Sequence, residues 1–229
     1  GTLDDLMTAA FAKMICVSQR VFSDVMGASA VSQRDIKRCL DIFDFFWGLP
    51  FLHPDETPHD KLFRCMVLAM AITYYFRIAD DAIYGKGSSQ IRGDYLRALL
   101  EEQLHREVRL VRVSFRDEVD RAVQALITPE HFRIPEGVAL NRDLMENVFA
   151  GLVCVQTKVP TCYLGPPGRS KTLAVEVLRL NLQGSKSPKP FCRYFCAVDL
   201  IVYQCSEDST GREIDCVLKR AADREKSYV

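Results

Sequence analysis

Lys171 and Thr172 close the octapeptide Gly165-Pro166-Pro167-Gly168-Arg169-Ser170-Lys171-Thr172, whose residue types and spacing suit it to hold phosphate. A phosphate-binding loop needs a glycine, four free positions, and then Gly-Lys-Ser/Thr. Ser170 stands here in the place of the second glycine. In such a loop the backbone N–H groups face the phosphates, and a following helix adds partial positive charge at its N-terminus. Lys171 then reaches the β- and γ-phosphates, and the Thr172 hydroxyl ligates Mg²⁺. The ligand expected is ATP with Mg²⁺. The binding set is Gly165, Pro166, Pro167, Gly168, Arg169, Ser170, Lys171, Thr172 and Leu173, with Lys171 as the catalytic cation and Thr172 as the metal ligand. Ser170 keeps the backbone N–H but adds a Cβ, so the pattern requires a negative φ there. A tight Pro-Gly turn before an ordinary helix is the alternative reading.

The flanks are those that the loop needs. Val159-Pro160-Thr161-Cys162-Tyr163-Leu164 reads as a short buried strand, and Leu173–Leu178 continues as a helix. Gly184 to Pro190 is a Ser/Pro/Lys loop. Val198–Cys205 is a second β-like run, followed by a helix from about Thr210, where Thr210 and Glu213 form a capping-box pair. Two apolar runs joined by a helical crossover suit a parallel sheet. A phosphate-loop ATPase also needs an acidic strand end to hold Mg²⁺. None follows Lys171. Leu99-Leu100-Glu101-Glu102 resembles one but lies on a predicted helix, as a solvated edge. Asp80-Asp81 reads as a surface helix end.

Upstream the periodicity is helical. Leu3, Leu6, Met7, Ala10, Phe11, Met14, Val17, Val21 and Phe22 form one stripe, with Thr2 and Asp5 as a capping pair. Ser32 caps a second helix, with Asp35 three residues on and Ile36, Leu40, Phe43 and Trp47 as its apolar face. Asp60 to Ile78 is apolar almost all round, as a buried helix is. Gly85–Ser89 is a loop. Asp94 to Leu126 is mostly helical, with Val108–Phe115 open to a strand reading. Pro129 and Pro135 bracket an irregular link. Asn141 caps a helix whose inward face is Leu144, Val148, Phe149, Leu152 and Val153.

The chain of 229 residues begins Gly1-Thr2 and reads as a piece of something longer. Lys plus Arg and Asp plus Glu are both 30, and no basic block offers a nucleic-acid surface. The longest apolar run, Cys65 to Phe76, is shorter than the roughly 20 residues that cross a bilayer. Nine scattered cysteines without a Cys-x-x-Cys read as buried free thiols in a reducing compartment. Cys192 and Cys196 share a helical face, but no histidine follows His131 to complete a metal set.

Ser32-Gln33-Arg34-Asp35-Ile36-Lys37-Arg38 resembles the lid helix of a AAA+ module, in which an early arginine approaches the γ-phosphate. That resemblance makes Arg34 a catalytic candidate. A surface salt bridge with Asp35 or Asp41 is its alternative. Arg142–Phe149, Gly165–Ala174, and Val202–Ser206 with Ser209-Thr210 narrow the match. In this order and spacing they resemble the mysterin family, giant dynein-like AAA+ proteins that are also RING-type ubiquitin ligases. Ser before the loop lysine is part of that family's pattern, while Pro166 and Arg169 are local differences. The resemblance implies an α/β plus all-α organisation. Residues 1–135 would be the helical lid of an upstream module, 136–158 a linker and entry helix, and 159–229 the opening of the next module's parallel-sheet ATPase domain. It implies a cytosolic protein whose partners are neighbouring AAA+ modules and, through parts outside this chain, a ubiquitin-conjugating enzyme. Arg34 would serve the upstream nucleotide. This stretch alone would carry neither ligase activity nor a complete ATPase. A non-hydrolysing structural module, or a segment of a dynein- or midasin-like machine without a ligase, are the competing readings.

Overall fold

Helix α1 (Leu3–Met26) turns Met7, Phe11, Met14, Val17, Val21 and Phe22 inward, as its period demands, and leaves Leu6 exposed. These coordinates, a computed structural model, describe residues 3–50, 57–87, 90–108 and 114–227; the Thr2 cap lies outside them. Helix α2 (Gln33–Gly48) starts as expected: the Ser32 N–H donates to Asp35 Oδ2 at 2.7 Å. Its buried face is not the expected one. Cys39, Ile42 and Phe46 are buried, Ile36 and Phe43 only partly, and Leu40 and Trp47 are exposed. Two overlapping apolar stripes, one position apart, run along this helix. Packing against α3 (Pro58–Thr73) and α6 (Arg142–Gln156) chooses between them, with Phe46 stacked on Phe149 at 5.9 Å. Burying a ring of that size contributes about 1.5–3 kcal/mol.

Helix α3 is buried at every residue from Cys65 to Thr73, as an all-round apolar helix must be. It gives way to a 3₁₀ turn at Tyr75–Arg77 rather than continuing to Ile78. Asp80 and Asp81 then lie in a turn, not on a helix end. A two-residue hairpin follows, β1 (Ile83–Tyr84) against β2 (Ile91–Arg92), antiparallel, with Ile83 opposite Arg92. It is too short to leave a signature in the sequence. Gly93 opens α4 (Gly93–Glu107) where a Cβ would stand 1.7 Å from the Ala79 carbonyl oxygen, so only glycine fits.

Helix α5 (Phe115–Leu126) is separate from α4, so the expected long helix is two. Most of the ambiguous segment between them lies outside the described residues. Glu101 accepts a hydrogen bond from the Phe115 N–H, which accounts for that acidic pair as a helix-start contact. Glu118 is buried between Arg64 Nε at 2.6 Å and Arg121 at 2.7 Å.

The link bracketed by Pro129 and Pro135 is irregular, and Asn141 Oδ1 accepts from the Leu144 N–H at 2.9 Å to start α6. All five expected inward residues of α6 are buried. Helix α7 (Lys171–Asn181) packs along it, burying Ala174, Val177 and Leu178. The last helix, α8 (Gly211–Ser227), begins with the expected capping box, the Thr210 N–H donating to Glu213 Oε2 at 2.9 Å.

The two expected strands are not strands. Residues 159–164 and 198–205 have no regular secondary structure, among the described residues neither joins a ladder, and Leu164 and Val202 are 85% and 79% exposed. Their side chains still alternate. Val159, Thr161 and Tyr163 from one, and Val198 and Leu200 from the other, line an apolar groove of about 220 Å³ over α6 and α7. Apolar alternation records what a residue would do beside a neighbour; the hydrogen bonds that make a strand need the neighbour itself. The fold is thus mostly helical, with one small sheet, and the hydrophobic core runs without a break from α1 to the residues around Phe195.

Candidate functional site

The loop Gly165–Ser170 ends where α7 begins, so Lys171, Thr172 and Leu173 form the first turn of the helix. The N–H groups of a first turn have no intrahelical acceptor and carry the positive end of the helix dipole. Ser170 is the N-cap, and its carbonyl accepts the first helical bond from Ala174 at 2.9 Å. Its φ is +54° and its ψ 17°, the left-handed region. The expectation of a negative φ is therefore corrected: Ser170 adopts the left-handed conformation that favours glycine. A Cβ in that region costs about 1–2 kcal/mol. Gly168 also has a positive φ, +82°, and its missing Cβ would meet nothing within 4 Å, so the need there is conformational.

The Lys171 ammonium folds back over its own loop. Nζ donates to the Gly165 carbonyl at 2.8 Å and to the Pro166 carbonyl at 2.6 Å. An ammonium has three protons, so one remains for a further acceptor. Thr172 is exposed beside it, and Leu173 is half-buried against the core. Cation, first-turn N–H groups and exposed hydroxyl thus lie within one loop and the helical turn that follows it, the kinds of donor that phosphate oxygens take.

Helix α6 supports this loop. Asp143, Asn147 and Gly151 lie at i, i+4 and i+8, one stripe of the helix. Asp143 Oδ2 accepts from Arg169 Nη1 at 3.0 Å. Asn147 Nδ2 donates to the Arg169 carbonyl at 3.0 Å, and the Asn147 carbonyl accepts from the Tyr163 hydroxyl at 2.8 Å. Burial raises the Tyr163 phenol above its ordinary range, with the nearby Cys154 thiol adding to the effect. Gly151 makes room: a Cβ there would stand 2.1 Å from the Tyr163 hydroxyl oxygen and 2.6 Å from Leu178. Sequence reasoning assigned none of these residues a role. The signal that could have found them is a polar and small stripe at four-residue spacing on an otherwise apolar helix.

Arg34 is exposed in the first turn of α2, and among the described residues no hydrogen bond or ion pair joins it to the loop. Its suggested salt-bridge partners are engaged elsewhere. Asp41 pairs with Lys37 at 2.7 Å, and Asp35 with Arg38 at 3.6 Å and Arg77 at 3.7 Å. The cysteines divide. Cys39, Cys65, Cys154 and Cys192 are buried, but Cys16, Cys162, Cys196, Cys205 and Cys216 are exposed, against the expectation of buried thiols. Among the described residues no group of three or more His, Cys, Asp or Glu is placed to hold a metal ion. No described helix is long and apolar enough to cross a membrane.

A family model described as the RNF213 AAA domain matches residues 137–228, from just before α6 to the end of α8. Over most of its length the chain is similar to RNF213. It is 26% identical over 239 residues to the human E3 ubiquitin-protein ligase RNF213, covering 96% of this chain. It is 26% identical over 231 residues to the mouse RNF213, covering 88%, and 26% identical over 204 residues to the zebrafish rnf213-beta, covering 86%. The chain spans about 4% of the length of these RNF213 relatives. The matched range includes residues 165–173, the supporting stripe of α6, and residues 159–164 and 198–205.

Proposed function

We propose that residues 165–173 bind the phosphates of ATP with Mg²⁺, as the nucleotide loop of one AAA+ module in the core of a giant ubiquitin ligase. The observation that carries this reading is the Lys171 ammonium, held over the loop by the Gly165 and Pro166 carbonyls at the start of α7. Lys171 takes the β- and γ-phosphates, the first-turn N–H groups take the remaining oxygens, and the Thr172 hydroxyl takes the metal. In this reading residues 136–158 lead into the module and residues 159–229 open it, with Val159, Thr161, Tyr163, Val198 and Leu200 lining a groove over α6 and α7. Residues 1–135 belong to the lid of the preceding module, and Arg34 serves that module's nucleotide. The relatives' names support a ubiquitin ligase; in this reading it is cytosolic, ATP binding and turnover regulate its ubiquitin transfer, and a ubiquitin-conjugating enzyme binds elsewhere.

The test is nucleotide binding to this module in the intact protein. Lys171→Ala removes the cation and leaves the fold, and affinity for Mg·ATP at this site falls about 10–100-fold, as loss of a charged contact of about 1.5–3 kcal/mol requires. Thr172→Ala weakens the Mg²⁺ dependence more than the affinity for metal-free nucleotide. Wild-type affinity in Lys171→Ala refutes the assignment.

A further inference from the structure

Among the described residues the loop belongs to no strand ladder, so side chains must hold it. Arg169 is the residue held at both ends. Its carbonyl accepts from Asn147, its guanidinium donates to Asp143 at 3.0 Å, and its other terminal nitrogen lies 3.8 Å from Asp81 Oδ2. Asp143 and Asn147 come from α6, but Asp81 comes from the turn after α3, in the helical region. Arg169 therefore joins the loop to two parts of the molecule that are far apart in sequence. Both carboxylates raise the Arg169 guanidinium above its ordinary value, Asp143 through its hydrogen bond and charge and Asp81 through charge alone. The next residue is Ser170, held left-handed, and the one after it is Lys171. Fixing the carbonyl of residue 169 orients the peptide that enters that left-handed turn.

We propose that Arg169 is a positioning residue for nucleotide binding, and that its pairing with Asp143 and Asp81 couples the phosphate loop to the turn after α3. This rests on the reading of the loop as a nucleotide site. With the latch closed, the peptide between Arg169 and Ser170 is set and the first turn of α7 presents its N–H groups. With it open, the loop must be ordered by the nucleotide itself, and affinity falls. The turn Asp80–Asp81 feels the same equilibrium from the other side. The latch is a solvent-exposed pair of ion pairs, so its effect is modest and screened by salt.

The experiment uses the intact protein, a fluorescent ATP analogue with Mg²⁺, and amide hydrogen exchange. Arg169→Gln and Asp143→Asn each weaken binding about 2–5-fold at low salt, the range that exposed ion pairs support, and Asp81→Asn weakens it less. Arg169→Lys, which keeps a cation between both carboxylates, retains most of the affinity. In the wild type, adding nucleotide changes exchange in residues 78–82, and in Arg169→Gln it does not. That last readout would not move if Arg169 were merely structural. Variants that bind like the wild type, or a turn whose exchange responds equally in both, overturn the latch. A wild type that binds no nucleotide overturns the coupling together with the function above. It is distinguishable, because a failed latch alone leaves wild-type binding intact and Lys171-dependent.

Discussion

Replacing Asn181 by alanine tests how α7, whose first turn follows the loop Gly165–Ser170, is fastened at its other end. Asn181 is the last residue of α7 and has no solvent exposure. Its Oδ1 accepts from the Arg133 N–H at 2.7 Å, and its Nδ2 donates to the Arg133 carbonyl at 2.9 Å and the Val177 carbonyl at 2.8 Å. The side chain thus pairs with both backbone groups of one residue in the irregular link, as a strand neighbour would. Truncation removes all three bonds. Val177 loses a second partner only, at little cost. The Arg133 N–H and carbonyl lose their partners in a half-buried place, at about 1–1.5 kcal/mol each. Alanine returns up to about 0.7 kcal/mol in helix propensity. The net loss is about 2 kcal/mol, read as a lower urea midpoint with an unchanged slope. The local signature is sharper: exchange of the Arg133 amide accelerates by about 10-fold or more, because opening it no longer breaks the Asn181 pair. A loss under about 0.5 kcal/mol, with Arg133 exchange unchanged, would refute the claim that this side chain clasps the link.

Three further outcomes follow from single sites. Ser170→Gly relieves the left-handed Cβ and raises stability by about 0.5–1 kcal/mol after the added unfolded-state freedom of glycine, measured by chemical denaturation; a destabilised variant contradicts the strain argument. A thiol reagent at neutral pH labels Cys16, Cys162, Cys196, Cys205 and Cys216 in the native protein. It spares Cys65 and Cys154, together with Cys39 and Cys192, whose thiols burial pushes up to about 12. Peptide mapping decides this, and native labelling of Cys39 would refute it. The Arg92 guanidinium, donating from Nε to Asp94 Oδ1 at 2.8 Å, lowers the Asp94 carboxyl from 3.8 to about 2. For a depressed carboxylate the stabilisation is present above the unfolded value and is lost as pH falls through the folded one. The contribution at the start of α4 therefore holds above about pH 4 and disappears towards pH 2. A carboxyl NMR titration shows that midpoint, and Arg92→Gln moves it back towards the ordinary aspartate range; an equal midpoint in both proteins counts against the pair.

Local chemistry in the sequence decided where helices begin. Ser32 with Asp35, Asn141, and Thr210 with Glu213 are caps whose partners lie three residues away, so the signal and the hydrogen bond occupy the same few residues. The all-round apolar run of α3 and the inward stripe of α6 were legible for the same reason. So was the phosphate-loop pattern at Gly165–Thr172, which depends on spacing along one turn. Tertiary structure decided everything that needs a distant partner. It chose Cys39, Ile42 and Phe46 over the neighbouring stripe of α2, since both stripes are apolar and only the packed helices distinguish them. It left residues 159–164 and 198–205 without a ladder, because β-propensity names a tendency and hydrogen-bonded pairing names a neighbour. It placed Ser170 in the left-handed region, against the preference of its own side chain, where the backbone turns from the loop into α7. It also brought Asp143, Asn147 and Gly151 under the loop, and Asn181 against Arg133 across 48 residues of chain. No local rule connects those positions; they meet because the helices that carry them bury a shared core.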